Sequence, residues 1–381
     1  MMKITRFGSI LLGMSLLLLF FPFHVYADGG APNLAYVAGA SGGISVIDIG
    51  QQKVTSRISA SGDPHSLYLS LDGRFLYAAE PTLGRVTMYA AKTGALICSA
   101  NVTGQPTLLT FDAGANILYA AGNGAASISA INPTTCAIEK TISTAGPVFG
   151  LAIAVVGSGI SGGTGNQLWV STTAGLSVYS NGAQVANVAV PGGPQYITIP
   201  AGTTVYVTTR SGDVDAVDLN SHNVMTLLTG GTFGPMDYDA ITYEVYVPDK
   251  QHDRVDVLTP INPGVTTPPK EPARTISLGV APQSVAITSD GQLGFIALAG
   301  GNVAILDIPG KQLFNTVFVG GDPDFIITGL YPPLIGTTPQ QASFWGTVIN
   351  VVAYALVLAV LIVPLLLLRR RSRMNVTKKD G

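Results

Sequence analysis

The chain has 381 residues, 47% of them hydrophobic and only 11% charged, and its 20 Lys and Arg nearly balance 22 Asp and Glu. Abundant apolar residues with little charge exclude an intrinsically disordered chain. The lack of a basic excess removes the electrostatic footprint that nucleic-acid binding needs.

Lys3 and Arg6 precede an apolar run from Ile10 to Phe23, and Val25-Tyr26-Ala27 supplies small residues before Asp28. A basic segment, an apolar segment and a small-residue cleavage site in that order make residues 1–27 a signal peptide, set aside from the fold. The alternative is an uncleaved signal anchor, for which the run falls short of the ~20 apolar residues of a spanning helix. Once this leader and the basic C-terminal tail are set aside, 12 of the 20 Lys and Arg but 21 of the 22 Asp and Glu remain, a balance of −9. That again opposes a polyanionic partner.

Between Asp28 and Ser343 the chain repeats itself, the first feature to seek in any sequence. A short β-rich segment with an aromatic recurs at Tyr36, Tyr77, Tyr119, Trp169, Tyr206, Tyr246 and Phe295, in steps of 41, 42, 50, 37, 40 and 49 residues. Each copy continues through a Gly-rich or polar turn, an alternating strand often ending in Asp (Asp48, Asp218, Asp307), a further strand and a Gly-Pro corner such as Gly62-Asp63-Pro64 or Gly321-Asp322-Pro323. Another apolar strand follows each corner and closes on turns such as Asp72-Gly73 or Asp290-Gly291, which supply positive φ. Period-2 alternation and β-branched content indicate strands, and no 3.6-residue apolar period interrupts them.

Seven such four-stranded units cannot bury their faces singly, so they stack. Radial closure into an all-β, seven-bladed β-propeller spanning residues 28–331 does this while leaving only short edges. The first unit lacks its post-corner strand and Phe325 to Leu330 supplies a spare one, so the two chain ends are expected to complete one blade. An open β-solenoid would leave that last strand unexplained.

The copies with the longest steps carry insertions. Gly157 to Asn166 is nearly all Gly, Ser and Thr, and Pro260 to Pro272 contains five prolines. These read as a flexible and a stiff loop, either the product of simple length drift or a recognition loop on one face. A Pro-containing linker (332–343) leads to Phe344–Leu368, 25 residues without a charged side chain, long enough to cross a ~30 Å hydrocarbon core. Arg369, Arg370, Arg371 and Arg373, with Lys378 and Lys379, make 369–381 a basic cytoplasmic tail by the positive-inside rule. The expectation is a single-pass plasma-membrane protein with its N-terminal domain outside.

Tyr-Val-Thr-Thr at Tyr206–Thr209, Ser-Val-Ile-Asp at Ser45–Asp48, the Gly-x-Pro corners and Ser-Asp-Gly at Ser289–Gly291 resemble the YVTN family of β-propeller repeats. The resemblance covers about 300 residues, with Trp169 and Phe295 replacing the family tyrosine. It implies a bacterial or archaeal cell-surface or periplasmic propeller used as a binding or scaffold module.

The usual ligand site of a propeller is the mouth of its central channel, lined by residues just after each corner. Here those are His65, Thr107, Val148, Gln195, Met236, Gln283 and Asp324. Blade closure would bring Asp324 beside His65, where a carboxylate raises an imidazole pKa and a polar couple can form; the alternative is solvated side chains around a water-filled channel. Beyond the leader only His65, His222 and His252 remain, too scattered for a His-rich metal site. Asp213, Asp215 and Asp218 resemble a calcium set, but Asp218 matches the strand-ending Asp of other copies and suits a turn cap. Asp249, His252, Asp253 and Asp256 are expected to solvate a polar turn. Cys98 and Cys136 form an even pair in an oxidising compartment, which invites a disulfide. Against it, a domain of about 315 residues needs no staple, and the alternation places the two on separate outer strands.

No cofactor or metal signature emerges, and no convincing catalytic constellation. The leading expectation is a non-enzymatic membrane-anchored module that binds a protein, glycan or envelope component. The alternatives are a lactonase- or lyase-type propeller enzyme working at the channel mouth and a purely structural envelope component.

Overall fold

Apolar residues at every second position, punctuated by Gly, Asp and Asn turns, produce strands almost without interruption. The computed structural model describes residues 34–155, 166–200, 204–261, 265 and 267–329. The expected signal peptide, linker, membrane span and tail lie outside the described residues, as does nearly all of the 157–166 insertion. No helix among the described residues is long and apolar enough to cross a membrane.

The strands form seven antiparallel four-stranded sheets, the blades of a β-propeller. Blade 1 joins Leu34–Ala40, Gly43–Asp48 and Lys53–Ile58 to Phe325–Thr328 from the other end of the chain. Blade 2 comprises Ser66–Leu69, Phe75–Glu80, Arg85–Ala90 and Leu96–Asn101, and blade 3 Leu108–Asp112, Ile117–Ala121, Ser127–Ile131 and Ile138–Ser143. Blade 4 comprises Val148–Ala154, Gln167–Thr172, Gly175–Ser180 and Ala183–Val188, and blade 5 Pro194–Thr198, Thr204–Thr209, Asp213–Asp218 and Val224–Thr229. Blade 6 comprises Asp237–Tyr238, Val245–Asp249, Arg254–Leu258 and Arg274–Ser277, and blade 7 Pro282–Ile287, Leu293–Leu298, Asn302–Asp307 and Gln312–Phe318.

The expected closure is present: Phe325–Thr328 pairs with the first strand in the register Ala35↔Thr328 to Ala38↔Phe325. Residues from neighbouring blades interleave into seven apolar clusters, so each unit buries its faces on the next. The two middle strands of each blade are flanked on both edges and both faces, and they are buried along almost their whole length. The outer strands face water on one side and are mostly exposed.

The recurrent aromatic has a structural task. It is buried in every copy, and in three of the five tyrosine copies its hydroxyl bonds the next blade. Tyr36 donates to the Ala91 carbonyl (3.3 Å), Tyr77 to that of Pro133 (2.7 Å), and Tyr206 accepts the Ile261 N–H (3.1 Å). Trp169 and Phe295 keep the apolar contact and give up the hydroxyl.

Strand-ending aspartates cap the next turn as expected. Asp48 accepts the Gln51 N–H, Asp218 those of Asn220 and Ser221, and Asp307 that of Gly310. Asp215 points inward and is buried. The blade 6 cluster corrects the sequence expectation. Asp249 and Asp256 are buried and engaged by Arg254 and His252, which anchors the turn from inside where solvation of an exposed turn was expected.

Cys98 and Cys136 are joined by a disulfide, with Cα atoms 6.1 Å apart. Cys98 lies on the outer strand of blade 2. Cys136 sits not on the outer strand of blade 3 but in the turn before it, at φ 58°, where its N–H bonds the Asn132 carbonyl. The same left-handed turn residue recurs at Gln52 and His222 in other copies, whose N–H groups bond the carbonyls of Asp48 and Asp218.

Candidate functional site

Each inner strand starts at a proline corner, preceded by glycine in every blade but the seventh (Ala281-Pro282), and runs down the central channel, so all corners meet at one end, the corner end. The opposite end is the far end. At the closing blade the Asp324 N–H bonds the Ala38 carbonyl at the corner end, and the Gly329 N–H bonds that of Leu34 at the far end. The described chain therefore enters and leaves at the far end. The strands flanking both insertions, Val148–Ala154 with Gln167–Thr172 and Arg254–Leu258 with Arg274–Ser277, end and begin there too.

Inner strands have one unpaired edge, which must find partners. Several blades hand side chains across: Ser171 Oγ donates to the Gln195 carbonyl, Thr198 Oγ1 to that of Met236 (2.7 Å) and Thr328 Oγ1 to that of Ile287 (3.0 Å). Asp237 Oδ2 accepts the Ile287 N–H at 2.7 Å. This belt surrounds a cavity of about 500 Å3 lined by residues from the inner strands of all seven blades.

His65, Thr107, Met236, Gln283 and Asp324 line that cavity. Val148 does not, because its side chain is packed in the core between blades 3 and 4, and Gly150 and Leu151 take its place. Gln195 contributes its backbone carbonyl to the belt, and its neighbour Tyr196 faces the channel.

Blade closure sets His65 against Asp324, with Nδ1–H donating to Oδ2. That hydrogen bond raises the imidazole pKa, burial opposes it, the charges of Asp324 and Asp63 reinforce it, and Lys250 works against it. The other carboxylate oxygen, Oδ1, is buried without a hydrogen-bond partner among the described residues. It lies against Gly39, where a Cβ would come within 2.9 Å of it and 2.3 Å of the Asp322 carbonyl. Gly39 has φ +74° as well, so both conformation and space require glycine there. With the imidazole pKa raised, the couple contributes stability fully below the ordinary histidine pKa and loses it as pH rises through the folded-state value.

Counting one residue after each corner overlooked three lining groups. Lys250 follows the second strand of blade 6, and its amine is held below the usual lysine range by burial, opposed by Asp324 and Asp322. Tyr196 has its phenol pKa raised by burial and by the Asp324 charge. Deeper in, burial pushes the Asp237 carboxyl up to about 6, against the hydrogen bonds it accepts from Ile287 and Tyr238. The only sequence signals were a cation beside a corner-end turn and an acid in an apolar inner strand.

No protein-family model matches the chain, and no curated protein matches it. Solved structures do. A candidate 6-phosphogluconolactonase from Bacteroides uniformis superposes with a TM-score of 0.61 at 15% identity, covering 78% of this chain and 99% of that one. Dihydro-heme d1 dehydrogenase NirN, in complex with DHE, gives 0.57 at 15% identity over 78% of this chain and 75% of that one. Apo AztD from Citrobacter koseri gives 0.57 at 12% identity over 77% and 96%. At such identities the likeness shows the β-propeller fold alone.

The Asp237 carboxyl makes a stability prediction. Its folded-state pKa of about 6 exceeds the ordinary value, so the native state holds the proton more tightly and loses stability as pH rises from about 4 to about 6. Asp237→Asn keeps an acceptor for the Ile287 N–H and removes that penalty. We expect thermal melts to show the variant more stable at pH 7.5, by about 1–3 kcal/mol, and equal to wild type at pH 4. An equal effect at both pH values would exclude this account.

Proposed function

We propose that this chain is a membrane-anchored, extracytoplasmic β-propeller that serves as a binding or scaffold module, with the corner-end channel mouth as its ligand site. The observation that carries it is the His65–Asp324 couple: two polar side chains from opposite ends of the sequence meet at the mouth of a cavity of about 500 Å3. The volume is within the range of small-molecule sites, and one carboxylate oxygen there still lacks a partner among the described residues. The Cys98–Cys136 bridge suits an oxidising compartment. The YVTN-like repeats support a surface module, and the apolar 344–368 stretch followed by arginines supports the anchor.

The partner class is a protein, glycan or envelope component. An enzymatic reading has one observation in its favour, since a His–Asp couple at a channel mouth suits general acid–base work. It predicts turnover, which the binding reading does not.

The test is capture from the native envelope by the purified protein beside a His65→Ala, Asp324→Asn double variant, with melting temperatures matched. We expect specific capture by the wild type and its loss in the variant. Equal capture by both would move the site to the rim or loops. Self-association without any captured partner would favour the structural envelope component.

A further inference from the structure

Arg210 and Lys250 occupy the same place in adjacent blades. Each is the first residue after the second strand, Thr204–Thr209 in blade 5 and Val245–Asp249 in blade 6. Each lies over the glycine before its own blade's corner proline: a Cβ on Gly193 would come within 2.6 Å of Arg210 Nη2, and one on Gly234 within 3.3 Å of Lys250 Cε. The same place in the other five blades holds Ser41, Pro81, Gly122, Thr173 and Ala299, none of them charged. Two neighbouring blades of seven thus carry a cationic arc on the corner-end rim.

Among the described residues neither cation forms an ion pair with an acid, although Glu80, Asp72, Asp249 and Glu244 all have one. The Arg210 guanidinium stacks on the Phe149 ring at 4.7 Å, which holds its fork in place and leaves its N–H donors open. Lys250 lines the cavity itself and is partly buried. The acids at this mouth and in the cavity below it are Asp63, Asp237, Asp322 and Asp324, of which Asp237 lies deeper and accepts the Ile287 N–H. Asp324 is engaged by His65, and Asp63 and Asp322 are exposed on their corners, where water screens them. Below the rim the lining is largely apolar, with Leu109, Ile197, Val285 and Phe325 among it.

We propose that Lys250 and Arg210 seat the anionic group, a carboxylate or a phosphate, of a small organic ligand whose apolar body enters the channel below. This rests on the channel mouth being the ligand site. A partly desolvated ammonium supplies a point charge, and a stacked guanidinium supplies a planar pair of donors that matches either oxyanion. The throat accepts the uncharged body, so the ligand is amphipathic.

The test is calorimetric titration of the purified full-length protein with 4-phenylbutyrate, phenyl phosphate and the matched cation 4-phenylbutylamine. We expect the anions to bind, more weakly at high salt, and the amine not to bind; the stronger anion identifies carboxylate or phosphate as the natural head group. Lys250→Gln and Arg210→Gln should each weaken anion binding about 10-fold or more, while circular dichroism shows each variant still folded as a β-propeller. Binding of the amine as tightly as the anions, no binding of either anion, or undiminished anion binding by the double variant would each overturn the proposal. The two readings can fail separately. Envelope capture that depends on His65 and Asp324 while the anions fail to bind leaves the mouth as the site and removes the anion. Capture that ignores those residues removes the site itself.

Discussion

Ile326→Asp is expected to abolish cooperative folding of the propeller. Ile326 is 1% exposed and sits in the cluster that joins blade 7 to blade 1, among Phe295, Val317, Val319 and Val37. Among the described residues it belongs to the one strand that reaches blade 1 from the C-terminal side, in a register where it opposes Val37. A carboxylate there has no partner, and burying an unpaired charge costs several kcal/mol. Total stability of a domain is about 5–15 kcal/mol, and the loss falls on the joint that holds the ring closed. Thermal unfolding followed by circular dichroism checks this, with Ile326→Val as the control at about 0.5–1.5 kcal/mol. A melting temperature within a few degrees of wild type in the aspartate variant would show that closure does not depend on this strand.

The second large effect belongs to the disulfide. Cys98 and Cys136 are 38 residues apart and bridge two blades at their outer edge. A bridge across a loop of that length removes unfolded-state entropy worth about 4 kcal/mol at 25 °C in the chain-entropy account. For a domain of this size a Cys98→Ser, Cys136→Ser variant should melt about 5–10 °C lower. Addition of reductant should lower the wild type by a similar amount and leave the variant unchanged. A variant that melts with wild type would mean that blade packing alone fixes this edge.

The architecture was legible because a propeller is a local repeat. Each blade is about 40 residues of contiguous chain, so the aromatic spacing, corner glycines and Asp-Gly turns report on units that fold next to their sequence neighbours. Closure was legible for the same reason, since a unit missing its inner strand and a spare strand at the other end admit one pairing. The His65–Asp324 couple followed from that pairing once the corners were aligned.

Other parts of the site depended on quantities no repeat pattern carries. Val148 and Gln195 lie outside the lining while Gly150, Leu151 and Tyr196 lie in it, at places where the inner strands of blades 4 and 5 carry early bulges that alternation does not register. Lys250 and Arg210 lie after second strands, not after corners. They pass close over Gly234 and Gly193, a proximity that the repeat pattern does not carry. Cys136 lies in a left-handed turn, where hydrophobic alternation gives its sulfur no direction toward Cys98.

By itself, then, the amino-acid order determined what is periodic: strand against turn, the units and their stacking, the closing strand, and the net acidity that disfavours nucleic acid. Only the tertiary structure decided what is singular, namely which side chains share the mouth, which charges stay unpaired there and which sulfurs meet. Periodic features are set by contacts between chain neighbours, whereas the mouth brings together residues up to 259 positions apart, whose meeting depends on the angle and register of every blade between them.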